Sequence, residues 1–99
     1  MMELHVCNKS GQLLKAYALG DFQEIIIGRD ETCDVCIKSQ SVSREHCCIE
    51  RDGHDLVLRD LGSTGGTFLD GEKINQIRLR TGMSIHVGPA VLKFQDDEM

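Results

Sequence analysis

The sequence predicts an all-β fold, a sandwich built from short strands. Apolar and polar residues alternate in short runs, as at Leu4 and Val6, and no segment keeps a helical period over about ten residues. Turn signals such as Asp70-Gly71 separate these runs at regular intervals. Because loops connect strands at the two ends of such a sandwich, we expect the functional loops to gather at one end.

Each predicted strand is bounded by a turn or a polar loop. Residues 3–8 and 13–19 are predicted to form an opening hairpin, and the β-branched run at 24–28 is predicted to be a central strand. The other predicted strands are residues 35–37, 46–51, 55–60, 68–69, 72–74, 76–79, 83–87 and 90–94. We expect one domain over residues 1–95 and a short acidic tail over 96–99.

Length, charge and cysteine content argue against several classes of protein. Ninety-nine residues suit one domain with a single core. The 11 basic and 16 acidic residues give a net charge of -5, which disfavours binding to nucleic acid. No apolar run has membrane-spanning length. Five cysteines, an odd number, behind an N-terminus without a secretion signal favour reduced thiols, so we expect a cytoplasmic protein without a membrane partner.

Three loop segments carry groups that a phosphate dianion needs. They are Gly28-Arg29 at the end of an apolar run, residues 43–46, and the glycine-rich residues 60–67. An arginine offers a planar bidentate contact, while hydroxyls and glycine-freed amides serve the other oxygens. The third segment is not a nucleotide P-loop, because it lacks the Gly-Lys-Ser/Thr ending and no helix follows it. In isolation, each segment is also explained by a solvated arginine or an ordinary turn.

Catalysis and metal binding find weaker support. Ser43 and His46 are three positions apart, so in an extended stretch they face opposite sides and make a poor catalytic pair. His46 is better explained as a structural residue whose ring nitrogens hold loop backbone. Cys33 and Cys36 have the spacing of half a zinc site, but no second half lies nearby, and Cys33 and Cys47 are expected in the core. We therefore expect a binding module without catalytic residues, metal or cofactor.

The three segments together resemble a known family. Gly28-Arg29, then Ser43-x-x-His46, then Asp60-Leu61-x-Ser63-Thr64-x-Gly66-Thr67-Phe68-Leu69-x-Gly71 are similar to the forkhead-associated (FHA) domain. The resemblance covers almost the whole chain. It implies an eleven-stranded β-sandwich of the FHA and SMAD kind, with recognition loops at one end. It also implies binding of phosphothreonine in short peptides or flexible protein segments.

The resemblance assigns roles to individual residues. Arg29 and Ser43 match the principal phosphate contacts, and Arg44 and Thr64 match positions that often add a contact. Three further residues match positions that hold the loops in shape: Gly28, His46 and Gly66. The residues expected to select the peptide sequence lie in the variable loops, here residues 39–42 and 62–65.

Gly65 departs from the family pattern. The family commonly has Asn immediately before the Gly-Thr of the third segment, and the side chain of that Asn typically hydrogen-bonds the peptide main chain next to the phosphoresidue. Losing one or two hydrogen bonds costs about 1–3 kcal/mol, or roughly one to two decades of affinity. The alternative function is therefore a phosphate-independent scaffold or self-association module of the same fold. The expected state is a monomer, with weak self-association left open.

Overall fold

The computed structural model describes residues 1–20 and 22–96, and these residues form eleven strands and no helix. The strands are β1 Met2–Cys7, β2 Leu13–Ala18, β3 Glu24–Gly28, β4 Val35–Cys36, β5 Cys47–Asp52, β6 Asp55–Asp60, β7 Thr67–Leu69, β8 Glu72–Lys73, β9 Gln76–Arg78, β10 Ser84–Val87 and β11 Ala90–Asp96. The all-β prediction is confirmed, and each predicted strand overlaps an observed one with ends displaced by no more than one or two residues.

Two sheets pack face to face. The first sheet has the order β2-β1-β11-β10-β7-β8, and the second has the order β4-β3-β5-β6-β9. Neighbouring strands are antiparallel except for the parallel pair β3 and β4. Such sheets bury one face and expose the other, which explains the period-2 pattern of the sequence. The predicted opening hairpin and the central position of β3 are both confirmed.

The core lies between the sheets. Its largest fully buried side chains include Phe94, Leu4, Ile27 and Leu58. Along β5, Cys47 and Ile49 belong to this core, whereas Cys48, also buried, lies on the opposite side of the strand beside Glu50. The alternation predicted for this strand is therefore observed.

The C-terminal prediction is only partly covered by the described residues. Strand β11 runs to Asp96, one residue past the predicted domain end. Residues 97–99 of the predicted acidic tail lie outside the described residues, as does Asp21 of the predicted break after β2. Within the described part of the chain, no helix has the length and apolar character needed to cross a membrane.

Three loops are joined at one end of the sandwich by backbone hydrogen bonds. They are the β3–β4, β4–β5 and β6–β7 loops. The Arg29 N–H donates to the Ser43 carbonyl oxygen at 2.9 Å, which links the first two loops. The Leu61 N–H donates to the His46 carbonyl oxygen at 2.9 Å, which links the second and third. The sheet register thus assembles all three segments singled out in the sequence.

Candidate functional site

Gly28 allows the β3–β4 loop and the β4–β5 loop to approach each other. A Cβ atom at this position would overlap the carbonyl oxygen of Arg44 and would lie 3.0 Å from the Cys33 sulfur. The Gly28 carbonyl oxygen accepts a hydrogen bond from the Ile37 N–H at 2.8 Å. The missing side chain, rather than an unusual φ angle, is therefore what this close contact requires.

Arg29 follows directly and is held by backbone. Its Nε donates to the carbonyl oxygen of Val42 at 2.9 Å, and its side chain is half-buried. The two terminal nitrogens of the guanidinium make no hydrogen bond with any residue that the structure describes. This arrangement fixes the plane of the group and leaves one edge of its donor fork available to an anion.

Ser43 joins the second loop to the third. Its Oγ accepts a hydrogen bond from the Thr64 N–H at 3.0 Å, and its backbone N–H donates to Nδ1 of His46 at 3.0 Å. Because a hydroxyl has one proton to donate, that proton is still available for an acceptor in the site. The hydrogen bond between Ser43 and His46 comes from the serine backbone, so it does not activate the hydroxyl as a nucleophile.

His46 is fully buried between the loops. Its Nδ1 accepts from Ser43, so the neutral ring carries its proton on Nε2, which lies 2.9 Å from the carbonyl oxygen of Gly66. One ring therefore ties the β4–β5 loop to the β6–β7 loop. Gly66 has a φ of +87°, which favours glycine, and a Cβ at this position would lie 3.0 Å from the Phe68 ring.

Asp60 organises the start of the β6–β7 loop. Its Oδ2 accepts from the backbone N–H groups of Gly62 and Ser63, both at 2.9 Å. Its Oδ1 accepts from the hydroxyls of Ser63 at 2.6 Å and Thr67 at 2.7 Å. Burial raises the pKa of the Asp60 carboxyl, but these hydrogen bonds outweigh it and the pKa lies below its ordinary value of 3.8. The ionised carboxylate is therefore part of the loop's structure.

We expect Asp60→Asn to destabilise the protein at pH 7 by about 1 kcal/mol, because the amide keeps the shape but loses the charge-assisted bonds. A lowered carboxyl pKa contributes stability above the unfolded value of 3.8, and this contribution disappears as pH falls through the folded pKa. Urea unfolding at pH 7 and pH 3 should therefore give a smaller difference between variant and wild type at the lower pH.

The exposed Asp55 on the same strand is the matched control for this prediction. It pairs with Arg78 at 3.4 Å on the surface, where ion pairs contribute little. Asp55→Asn should change the free energy of unfolding less than Asp60→Asn does. Equal losses from both variants, or a loss from Asp60→Asn that does not shrink with pH, would contradict the assigned role.

Four of the five residues predicted to bind a phosphopeptide line one cavity. Arg29, Ser43, Thr64 and Gly65 surround a cavity of about 260 Å³, which we call the Arg29 cavity. Its remaining lining residues are Gln40, Ser41 and Val42. These three belong to the β4–β5 loop and lie within residues 39–42, one of the two segments predicted to select the peptide sequence.

Arg44 is the fifth predicted residue, and it does not line this cavity. Its side chain is exposed, while its carbonyl oxygen accepts from the Asp30 N–H at 3.2 Å and from the Cys33 thiol at 3.1 Å. The Asp30 carboxyl, whose pKa is lowered chiefly by hydrogen bonds from Thr32, also feels the charges of Arg44 and Arg29. The Arg44 backbone thus supports the loop, and its guanidinium is a second cation nearby.

The close approach of the β4–β5 loop leaves little room for a side chain at Gly65. A Cβ at this position would lie 3.0 Å from the carbonyl oxygen of Ser41, which is tighter than ordinary packing. Restoring the asparagine common in the family would therefore require the β4–β5 loop to move by a few tenths of an ångström. The β4–β5 loop therefore packs at a distance that suits glycine at position 65.

The two buried thiols near the site are poor nucleophiles. Burial raises the pKa of the Cys33 thiol and raises that of Cys47 strongly. The Cys36 thiol is exposed and lies 3.5 Å from the Arg29 carbonyl oxygen. Cys33 and Cys47 are both buried, as predicted. A thiolate catalyst would require a lowered pKa, the opposite of what Cys33 and Cys47 have.

One set of side chains has a spacing that suits a metal ion. The ligand atoms of Glu24, Cys48 and Glu50 lie within 4.8 Å of one another, on the outer face of the second sheet. Burial raises the pKa of the Cys48 thiol to about 11, so it is protonated at neutral pH. Glu50 also pairs with Arg59 at 2.7 Å. Two of the three groups therefore already have partners, since the Cys48 thiol donates to Glu50 and Glu50 pairs with Arg59.

Sequence reasoning missed the contribution of the β1–β2 turn. Lys9 of this turn lines a second cavity, of about 340 Å³, together with Gly88 and Pro89 of the β10–β11 turn. The two turns meet because β1 pairs with β11, with Cys7 opposite Val91. No local pattern in the sequence signals a pairing between the two ends of the chain.

Comparison with known proteins decides the family. The profile of the FHA domain matches residues 25–88, more than half of the chain. The chain belongs to the FHA domain family. Human kanadaptin is similar, with 35% identity over 94 residues that cover 84% of this chain and 12% of kanadaptin. The chain therefore spans only a small part of that relative's length.

Solved FHA domains share the whole fold. The crystal structure of the FhaA FHA domain complexed with the intracellular domain of Rv3910 matches with a TM-score of 0.83 and 28% identity, over 96% of this chain and 100% of that one. A structure from an analysis of phosphothreonine-dependent FHA domain interactions matches with a TM-score of 0.84 and 28% identity, over 99% and 98% of the two chains. The eleven-stranded FHA sandwich predicted from the sequence is confirmed.

Proposed function

We propose that this FHA domain is a phosphothreonine-dependent protein-interaction module, a signalling adaptor that binds phosphorylated peptide segments in the Arg29 cavity. The observation that carries the proposal is the Arg29 side chain, held through Nε by the Val42 carbonyl oxygen at the wall of that cavity. A guanidinium fixed in this way matches the planar, bidentate geometry of a phosphate dianion. The phosphothreonine-dependent interactions of a similar FHA domain support the same function.

The other residues of the cavity complete the phosphate site. The Ser43 hydroxyl accepts from the Thr64 N–H and has its own proton to donate to a phosphate oxygen. The exposed Thr64 side chain can add a second hydroxyl, and Arg44 adds long-range attraction from beside the cavity. Gly65 contributes backbone only, so the peptide main chain receives fewer hydrogen bonds here than from an asparagine.

The proposed role is binding alone. The domain, residues 1–95, acts as a cytoplasmic monomer that recognises protein, without catalysis, metal or cofactor. The net charge of -5 supports the absence of nucleic acid among its partners. Loop geometry at Gly28, His46 and Gly66 serves to hold the binding residues in place.

Arg29→Ala should weaken phosphopeptide binding by about 2–4 kcal/mol, or roughly 30- to 1,000-fold, because a dianion loses its bidentate partner. Arg29→Lys should recover only part of this loss, since an ammonium cannot reproduce the fork. The measurement is a titration of ¹⁵N-labelled protein with a degenerate phosphothreonine peptide library, alongside the unphosphorylated pool. Amide shifts at Arg29, Ser43 and Thr64 with the phosphorylated pool alone are expected.

Arg80→Ala is the matched control, since Arg80 is an exposed arginine outside the Arg29 cavity. It removes the same charge and should leave the affinity for the phosphorylated pool close to that of wild type. The proposal fails if Arg29→Ala and Arg80→Ala bind equally well. It also fails if the phosphorylated and unphosphorylated pools shift the same amides to the same extent.

A further inference from the structure

A second cavity adjoins the Arg29 cavity. This Lys9 cavity, of about 340 Å³, is lined by Lys9, Phe68, His86, Gly88 and Pro89, together with Ser41 and Gly65. Because Ser41 and Gly65 also line the Arg29 cavity, the two share one boundary. A peptide bound in the Arg29 cavity can therefore place a neighbouring side chain in the Lys9 cavity.

Close packing of Gly88 against Ser41 and Val42 gives the Lys9 cavity a defined shape. A Cβ at Gly88 would lie 2.8 Å from a methyl carbon of Val42 and 2.9 Å from Ser41 Oγ, and Gly88 has a φ of +56°. Both features favour glycine at the turn. The β10–β11 turn is therefore packed against the same β4–β5 loop whose backbone holds Arg29.

The cavities that adjoin the Arg29 cavity, which together with it we call the groove, differ in charge. The side chains that line the Lys9 cavity include the exposed Lys9 and His86, and within the described residues no carboxylate lines it. On the other side of Arg29, a cavity of about 590 Å³ is lined by Asp30 and Glu31. Arg29 and Lys38 also line it; Lys38 pairs with Glu31 at 2.8 Å, and Asp30 lies near the charges of Arg29 and Arg44, so the charges on this side are balanced.

We infer that the groove selects phosphopeptides by charge, and that the Lys9 cavity takes an acidic side chain a few residues from the phosphothreonine. This inference rests on the proposed function. Lys9 supplies the positive charge and the His86 imidazole supplies a hydrogen-bond donor. On the opposite flank the charges are balanced and give an acidic side chain no such attraction, so the difference between the two sides fixes the direction of the peptide.

The test uses peptides with one phosphothreonine in an alanine background. A single aspartate is placed at each flanking position in turn, and a matched set carries lysine instead. We expect aspartate on one flank only to tighten binding by about three- to five-fold relative to lysine at the same position. Lys9→Glu should abolish this preference or reverse it toward lysine, and added salt should reduce it.

Lys93→Glu is the matched control, because it makes the same change of charge at an exposed lysine of β11 that lines neither cavity. It should keep the preference for aspartate. The inference is wrong if the aspartate and lysine sets bind wild type equally, or if the preference survives Lys9→Glu, while phosphate-dependent binding persists. If every peptide binds no better with phosphate than without it, the proposed function itself fails and the inference falls with it.

Discussion

Gly28→Ala should lower the free energy of unfolding by about 3 kcal/mol or more, the range seen when a well-packed site is overfilled. The added methyl group would overlap the carbonyl oxygen of Arg44 and would press against the sulfur of Cys33. That carbonyl has little freedom to move, because it accepts hydrogen bonds from the Asp30 N–H and the Cys33 thiol. The β3–β4 and β4–β5 loops would have to separate.

Binding should suffer together with stability. Separation of the two loops would break the bond from the Arg29 N–H to the Ser43 carbonyl oxygen, so both side chains would lose their common support. Denaturant unfolding and the phosphopeptide titration, made on the same sample, are the measurements. We expect affinity to fall even at temperatures where Gly28→Ala is still folded.

Gly53→Ala separates the steric effect from the general effect of replacing glycine. A Cβ at Gly53 would meet no atom within 4 Å, but its φ of +64° disfavours alanine. This variant should lose about 1 kcal/mol and keep its affinity for phosphopeptide. A Gly28→Ala variant that is no less stable than Gly53→Ala would show that the loops adapt without strain.

The strands were predictable because local chemistry specifies them. The Asp70-Gly71 pair predicted a tight hairpin, and the structure pairs β7 with β8 around it. Both residues have positive φ, 52° at Asp70 and 82° at Gly71, as the type I′ turn of a two-residue hairpin demands. The alternation of Cys47 and Cys48 in β5 likewise predicted opposite faces without any knowledge of the partner strands.

The site was less predictable, since distant contacts and backbone groups complete it. The acceptor that orients Arg29 is the carbonyl oxygen of Val42, and every residue type has the same carbonyl. Lys9 reaches the groove because β1 pairs with β11 across nearly the whole length of the chain. Such a pairing depends on the strand order within the first sheet, which hydrophobic periodicity does not encode. Only the family resemblance linked the three loop segments in advance.

His46→Ala should destabilise the protein by roughly 3–5 kcal/mol, because it combines a buried cavity with two unpaired backbone groups. The imidazole is fully buried, and its two nitrogens serve the Ser43 N–H and the Gly66 carbonyl oxygen. Without the ring, water can reach these two backbone groups only if the loops open. The β4–β5 and β6–β7 loops should then move apart and widen the Arg29 cavity.

His46→Phe distinguishes packing from hydrogen bonding, since it keeps most of the ring volume and removes both polar contacts. If hydrogen bonds fix the loops, His46→Phe should lose at least about 2 kcal/mol, the cost of leaving buried partners unpaired. Its phosphopeptide affinity should also fall, because Ser43 is no longer held. The exposed His54 gives the control: His54→Ala should stay within about 0.5 kcal/mol of wild type. A His46→Phe variant as stable as wild type would mean that the ring acts by filling space alone.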